Sequence, residues 1–188
     1  MLDWLVHIDK AWMVFLNGLH SPFFDWMLWW SSNRLLWIPL YLVLLGLYFR
    51  KFKSMSFWPI IFTILAVALS DFISVHFIKE IILRPRPTYD PEIGPLLHTI
   101  HGYTGGLYGF VSSHAANSFA LATMTFFFLR IKALNIFIFL WAIIVSYSRI
   151  YLGVHYPGDV LCGALFGSAL AYILYFCWLK ISYFHPVQ

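Results

Sequence analysis

Charged residues are scarce in this chain: only 11% of its 188 residues are Asp, Glu, Lys or Arg, against about a quarter in soluble domains. Apolar residues make up 61% of the sequence and aromatic residues 21%. This composition lies far from that of soluble proteins and indicates an integral membrane protein. The length predicts a single domain over residues 1–188.

Cysteine is scarce as well, and its spacing excludes an internal disulfide. Cys162 and Cys177 lie on one apolar segment, where a helix would separate them by about 22 Å, well beyond the reach of a disulfide. The chain also lacks the basic and then apolar plan of a cleavable signal peptide in residues 1–20. Targeting is therefore expected to come from the membrane spans themselves.

The net charge of +4 does not indicate a nucleic-acid partner. The basic residues are dispersed between apolar runs, whereas nucleic-acid binding proteins gather them on one polar surface. Basic residues at the ends of spans are what membrane topology requires. We therefore expect membrane lipids, and no nucleic acid, as partners; the sequence predicts no oligomeric state.

Five apolar runs are long enough to cross a bilayer, for which about 20 residues are needed. They cover residues 33–49, 57–78, 116–129, 133–151 and 157–179. The third run is short, and its helix is expected to continue towards the N-terminus. Ahead of these runs, residues 2–19 place apolar side chains at helical spacing beside Asp9 and Lys10, which is typical of an interfacial helix.

The Trp-rich residues 23–30 either lie in the membrane interface or extend the first span, so six spans remain possible. The predicted fold class is all-α: a polytopic transmembrane helical bundle of five to six spans with an N-terminal interfacial helix. Residues 84–113 contain four prolines and five glycines, and this segment is too broken to span. A loop of this length inside a compact domain is usually functional.

The basic residues also predict the orientation of the chain. With five spans, the connections after the first and third spans share one side with the C-terminus. That side carries Arg50, Lys51, Lys53, Arg130, Lys132 and Lys180. Because basic loops remain in the cytoplasm, the loop at residues 84–113 and the connection at residues 150–156 are expected on the opposite face.

Three short motifs between residues 79 and 159 end or begin spans on that opposite face. They are Lys79 with Arg86-Pro87, then Ser112-Ser113-His114, and then Ser148-Arg149 followed by His155 and Asp159. Their order and spacings resemble the signature of the type 2 phosphatidic acid phosphatase family. The spacings are K-x6-R-P, then serine before histidine, and then S-R-x5-H-x3-D. In its second motif the family usually reads P-S-G-H, and this chain has Val111 and Ser113 at the proline and glycine positions.

Phosphate ester hydrolysis requires cations that neutralise the phosphate and stabilise charge on the transferring group. Lys79, Arg86 and Arg149 supply three, and the planar fork of arginine suits pairs of phosphate oxygens. Each residue also has an ordinary alternative role, since basic side chains at span ends extend to lipid headgroups.

The resemblance implies a role for each remaining motif residue. It makes His155 the nucleophile of a phosphohistidine intermediate, Asp159 its orienting partner and His114 the general acid. Ser112 and Ser113 would bind phosphate. Both residue types also have roles without catalysis: serines commonly cap helices, and an acidic residue such as Asp159 is favourable at a helix start. The resemblance further implies hydrolysis without a metal or another cofactor.

Other polar residues have simpler interpretations. Asp71, inside the second span, is interpreted as the acceptor of a helix–helix hydrogen bond or the partner of a cation. His98 and His101 are spaced like a metal pair, but no cysteine or carboxylate cluster nearby completes a ligand set.

Together these observations predict a phosphatase of the bacterial inner membrane, with its site facing the periplasm or exterior. The substrate would be a lipid phosphate or diphosphate: undecaprenyl diphosphate, phosphatidylglycerol phosphate, phosphatidic acid or a lipid A phosphate. Two alternatives stay open, a lipid phosphotransferase that uses the same site and a non-catalytic membrane transporter or scaffold.

Overall fold

A computed structural model describes residues 2–184, which form helices, short turns and one long loop, without a β-strand. The helices are α1 (Leu2–Gly18), α2 (Pro22–Ser31), α3 (Ile38–Phe52), α4 (Phe57–Ile73), α5 (Lys79–Ile82), α6 (Ser113–Leu129), α7 (Lys132–Tyr151) and α8 (Pro157–Phe184). Three continuous helical stretches are long and apolar enough to cross a membrane: Arg34–Ile82, Lys132–Tyr151 and Pro157–Ser182. The predicted all-α transmembrane bundle is confirmed. Each of the last four predicted apolar runs lies on helical residues, and the first covers a 3₁₀ turn and most of α3.

The Trp-rich segment forms a helix of its own and does not extend the first span. Ser21 caps α2 by accepting a hydrogen bond from the Phe24 amide, and Pro22 occupies the first turn, where it has no amide hydrogen to lose. The chain then turns at Asn33, whose side chain caps a short 3₁₀ turn at Arg34–Trp37. This turn separates α2 from α3.

The stretch Arg34–Ile82 reverses direction at Lys53, whose backbone is left-handed with φ of +49°. Across the resulting hairpin, the hydroxyl groups of Tyr48 and Thr63 lie 2.9 Å apart in the buried core. Beyond α4 the helix widens into a π-helical turn at Ser74–Ile78 and ends after α5, where Leu83 is left-handed. Pro85 prevents the helix from continuing.

Helix α6 lies at the centre of the bundle, and alanines occupy much of its buried surface. It begins at Ser113, three residues before the predicted run, as expected for a helix that continues towards the N-terminus. Gly163 and Gly167 on α8 face it, and a Cβ atom at Gly167 would lie 2.0 Å from the carbonyl oxygen of Ala116. The G-x-x-x-G spacing therefore allows the backbones of α6 and α8 to approach closely.

Helix α1 packs its inner face against the bundle and exposes an aromatic face. Met13 and Asn17 are buried, and Asn17 donates hydrogen bonds to the carbonyl oxygens of His98 and Tyr151. Trp12 and Phe15 point outwards and are more than half exposed. These aromatic side chains fit a membrane interface, while the inner face joins α1 to the long loop and to α7.

The two ends of the bundle differ in chemistry. At one end, Lys51 donates to the carbonyl oxygen of Leu129 at 2.7 Å, and Arg130 donates to the hydroxyl of Tyr175 at 3.0 Å. This end holds the basic connections. The opposite end holds the long loop, the connection between α7 and α8, and the three motifs.

Candidate active site

The long loop folds back on itself, and this fold brings Arg86 over the connection between α7 and α8. Pro85 and Tyr108 form an isolated antiparallel bridge, in which Arg86 N–H donates to Leu107 and Gly109 N–H donates to Arg84. A Cβ atom at Gly109 would lie 3.1 Å from Cγ of Arg86 and 3.2 Å from Oδ2 of Asp159. Glycine is therefore suited to this close approach.

His155 is buried, with 1% of its surface exposed. Nη1 of Arg86 lies 2.9 Å from its Nε2 atom and 3.0 Å from the carbonyl oxygen of Val154. Because a guanidinium group can only donate, Nε2 of His155 must be the acceptor and its ring proton must sit on Nδ1. The contact with Arg86 thus fixes the tautomer of the imidazole.

Asp159 lies on the Nδ1 side of the same ring. Its Oδ2 atom is 3.6 Å from Nδ1 of His155, somewhat longer than a hydrogen bond, and accepts the Tyr156 amide at 3.0 Å. Its Oδ1 atom accepts from Nη1 of Arg84 at 2.7 Å. Pro157 begins α8, so the first turn of this helix places Asp159 beside the imidazole, as predicted from the spacing.

The second motif forms the start of α6. The Ser112 hydroxyl caps the helix by accepting from the Ala115 amide, and the Ser112 amide donates to the carbonyl oxygen of Asp159 at 3.0 Å. Ser113 lies in the first helical turn and accepts from Nζ of Lys79 at 3.2 Å. No left-handed backbone is needed at this position, which explains why serine can stand where the family usually has glycine.

Arg149 is buried, with 3% of its surface exposed, and is held by residues outside the three motifs. It donates to the hydroxyl of Ser32 and, at 3.1 Å, to the hydroxyl of Tyr103. Its carbonyl oxygen accepts the His155 amide at 3.2 Å. This backbone hydrogen bond fixes the position of His155 relative to Arg149.

His114 lines two cavities. One, of about 210 Å³, also contacts Arg149, Tyr103 and Ser32. The other, of about 770 Å³, has a polar end formed by Ser31, Ser32, Arg34, Asp71, Ser113, His114 and Asn117. Its remaining lining is mostly apolar and runs between α3, α4, α6 and α7, down to Tyr48 and Trp141.

The electrostatics favour a neutral His155. Burial lowers the pKa of His155 well below its ordinary value of 6.5, and the cations Arg86, Arg149 and Lys79 lower that pKa further. The imidazole therefore keeps an unprotonated Nε2 at neutral pH. Such a nitrogen has the lone pair that a nucleophile needs.

Sequence reasoning missed three residues that hold the site together. Arg84 contacts Asp159, while Tyr103 and Ser32 hold Arg149. Arg84 belongs to a second Arg-Pro pair two residues before Arg86-Pro87, and that repeat was a visible signal. Tyr103 and Ser32 had none, because their contacts span 46 and 117 positions of sequence.

The remaining polar residues occupy other contacts. Asp71 accepts a hydrogen bond from Asn117 on α6 at 2.7 Å, which confirms the predicted helix–helix bond. His98 contacts Asp25 at 2.9 Å and stacks on His20, while His101 packs against Trp29. Within residues 2–184, no cluster of three or more His, Cys, Asp or Glu side chains is arranged to hold a metal ion.

The sequence is similar to those of known proteins over most of its length. The chain is 36% identical to a lipid A 4'-phosphatase of Bacteroides thetaiotaomicron, over 97% of this chain and 82% of that protein. It is 31% identical to an undecaprenyl-diphosphatase of Sulfolobus acidocaldarius, over 76% of this chain and 63% of that protein.

A crystal structure has a similar fold. It is that of the first transmembrane PAP2 type phosphatidylglycerolphosphate phosphatase from Bacillus subtilis. Its TM-score is 0.74 at 21% identity, over 94% of this chain and 87% of that one. The family model of the PAP2 superfamily matches residues 56–183, a range that contains all three motifs, and the chain therefore belongs to the PAP2 superfamily.

Proposed function

We propose that this protein is a membrane phosphatase that removes phosphate from a lipid, without a metal, through a phosphohistidine on His155. One observation supports this most strongly: the buried, neutral imidazole of His155 lies 2.9 Å from Arg86, with Arg149 and Lys79 as further cations that lower its pKa. His114 lines the polar end of the larger, mostly apolar cavity. Relatives named as lipid phosphatases agree with this proposal.

The cavity suits a lipid chain that enters from the bilayer. Leu42 and Ile64 line it, and each is 62% exposed on the outer surface of α3 or α4, which the apolar composition places against lipid. A chain lying between these helices would direct its headgroup to the polar end. The phosphate would then lie near His114 and the cations.

The geometry allows a two-step reaction. Burial and nearby cations lower the pKa of His114 well below 6.5, so His114 becomes a proton donor only when the bound phosphate anion offsets those cations and favours the imidazolium. Nε2 of His155 attacks phosphorus while the bond from phosphorus to the lipid oxygen breaks, and the protonated His114 gives its proton to the departing oxygen. Water then attacks the phosphohistidine, returns a proton to His114 and releases inorganic phosphate. Lys79, Arg86 and Arg149 stabilise the charge on the phosphoryl oxygens in both steps.

Among lipid substrates, we propose a lipid A 4'-phosphate first. The lipid A 4'-phosphatase relative aligns with nearly the whole chain at 36% identity, including α1, α2 and the long loop. The diphosphatase relative aligns with 76% of this chain at lower identity. Undecaprenyl diphosphate, phosphatidylglycerol phosphate and phosphatidic acid are the comparison substrates.

The test is release of inorganic phosphate from these four lipids by protein purified in detergent, with a chelator and without added metal. We expect release to be fastest from lipid A and lost in both His155→Ala and His114→Ala. His7→Ala, on the exposed face of α1, is the matched control and should retain full activity. Normal release from His155→Ala, or loss of activity in the chelator, would contradict the proposed mechanism. Formation of a phosphorylated acceptor in place of free phosphate would indicate a transferase.

A further inference from the structure

Arg84 bridges two carboxylates that belong to opposite ends of the sequence. Its Nη1 atom donates to Oδ1 of Asp159 at 2.7 Å, and its Nη2 atom donates to Oδ2 of Asp9 at 2.7 Å. Its guanidinium carbon lies 3.9 Å from the centre of the Tyr156 ring. The planar head is therefore held in one orientation by two ion pairs and a cation–π contact.

The contact with Arg84 determines how Asp159 presents its two oxygens. Asp159 has no exposed surface, and a buried carboxylate without a cation is strongly unfavourable. With Oδ1 held by Arg84, Oδ2 faces the Tyr156 amide and Nδ1 of His155. The cation thus favours the ionised carboxylate and selects the rotamer that points towards the imidazole.

Asp9 fixes the other side of Arg84 and connects α1 to this arrangement. Its Oδ2 atom binds Arg84, and its Oδ1 atom accepts the Gly158 amide at 2.8 Å. Gly158 lies in the first turn of α8, directly before Asp159. A single side chain on α1 therefore contacts both the cation that pairs with Asp159 and the backbone that carries Asp159.

Accepting the proposed function, we infer that Arg84 is a positioning residue for the reaction, and that Asp9 on α1 holds it in place. Helix α1 then contributes a side chain that supports the active site, in addition to any role at the membrane interface. Arg84 acts through Asp159 on Nδ1 of His155 and does not touch the phosphoryl group.

The experiment compares Arg84→Met with Arg130→Met in lipid phosphate release. Arg130→Met is the matched control, because this arginine donates to the hydroxyl of Tyr175 at 3.0 Å, at the opposite end of the bundle from Asp159. We expect kcat of Arg84→Met to fall about a hundredfold, as for other small displacements of reacting groups, with KM nearly unchanged. A fall in kcat without a change in KM separates a displaced catalytic group from weaker substrate binding.

A second variant covers the case in which Arg84→Met does not fold, as judged by its thermal midpoint in detergent. Asp9→Asn keeps the pair between Arg84 and Asp159, so it should fold, lower kcat less than Arg84→Met does, and leave KM nearly unchanged. If the wild type is active and kcat is unchanged in Asp9→Asn or in folded Arg84→Met, this inference alone is overturned. A wild-type protein that releases no phosphate from any lipid would overturn both this inference and the proposed function.

Discussion

Nη1 of Arg86 lies 2.9 Å from Nε2 of His155, the atom that we propose as the nucleophile. Because Nε2 accepts this hydrogen bond, the guanidinium must move from the nitrogen lone pair to the phosphate oxygens before Nε2 can attack phosphorus. The same side chain therefore fixes the imidazole tautomer and provides donors for phosphate oxygens. Both tasks require a cation that is planar and always protonated.

Arg86→Lys is expected to lower kcat/KM about a hundredfold, in the range found for the loss of one donor to a transition state. An ammonium keeps the charge but lacks the fork that contacts both Nε2 of His155 and the carbonyl oxygen of Val154. Steady-state phosphate release measures the effect. Arg130→Lys, at the opposite end of the bundle, is the control and should match the wild type. If Arg86→Lys released phosphate as fast as the wild type, charge alone would be sufficient at this position.

Burial of neutral His155 predicts a loss of stability in acid. Because the folded-state pKa of His155 is lowered, its contribution is fully present above the unfolded value of about 6.5. As the pH falls from that value towards the folded pKa, the unfolded state binds a proton that the folded state does not, and the free energy of unfolding decreases.

The thermal midpoints of wild type and His155→Gln, measured from pH 7.5 to pH 5, test this stability prediction. Glutamine cannot gain a proton in this range, so the midpoint of wild type should fall more steeply than that of the variant below about pH 6.5. Parallel curves would contradict the prediction. The comparison removes the contributions of other titrating groups, which both proteins share.

Local signals in the sequence predicted the helices well. Apolar runs indicated the long helices, and the four prolines and five glycines of residues 84–113 indicated the long loop between them. The first predicted run, at residues 33–49, differs from α3 at Ile38–Phe52 because Asn33 caps a separate 3₁₀ turn. The later start of α3 depends on one side-chain hydrogen bond, which a hydropathy pattern does not show.

Contacts between distant residues were harder to predict. Arg84 pairs with Asp9 and Asp159, each 75 positions away, and no periodicity connects them. The K-x6-R-P spacing indicated Arg86 and gave no role to the preceding Arg84. The resemblance could indicate residues that the family shares, but not the side chains of α1 that pack around them in this chain.

The close approach of α6 and α8 predicts that Gly167→Ala destabilises the protein. A Cβ atom would lie 2.0 Å from the carbonyl oxygen of Ala116, and the backbone must move because a carbonyl cannot rotate away. Overpacking of this kind costs about 1–3 kcal/mol or more. Denaturant titration in mixed micelles should show the loss, and activity should fall as His114 on α6 shifts relative to His155.

Gly46→Ala is the matched control for helix packing. Gly46 lies inside α3, and a Cβ atom there would meet nothing within 4 Å. Replacing a helix-interior glycine with alanine is expected to be neutral or to stabilise by about 0.5–1 kcal/mol. If both variants behaved alike, close packing of α6 on α8 would not be what requires glycine at position 167.

The separation of basic connections from motif residues predicts the orientation of the protein in the cell. Lys51 and Arg130 lie at one end of the bundle, so that end should be cytoplasmic and the site should face the periplasm or exterior. Single cysteines at Leu96 in the long loop and at Lys53 test this, after Cys162 and Cys177 are replaced by serine. Both Leu96 and Lys53 are exposed, so either cysteine can react once a reagent reaches it. In spheroplasts, a membrane-impermeant maleimide should label Leu96→Cys at once and Lys53→Cys only after permeabilisation, and the opposite order would place the site in the cytoplasm.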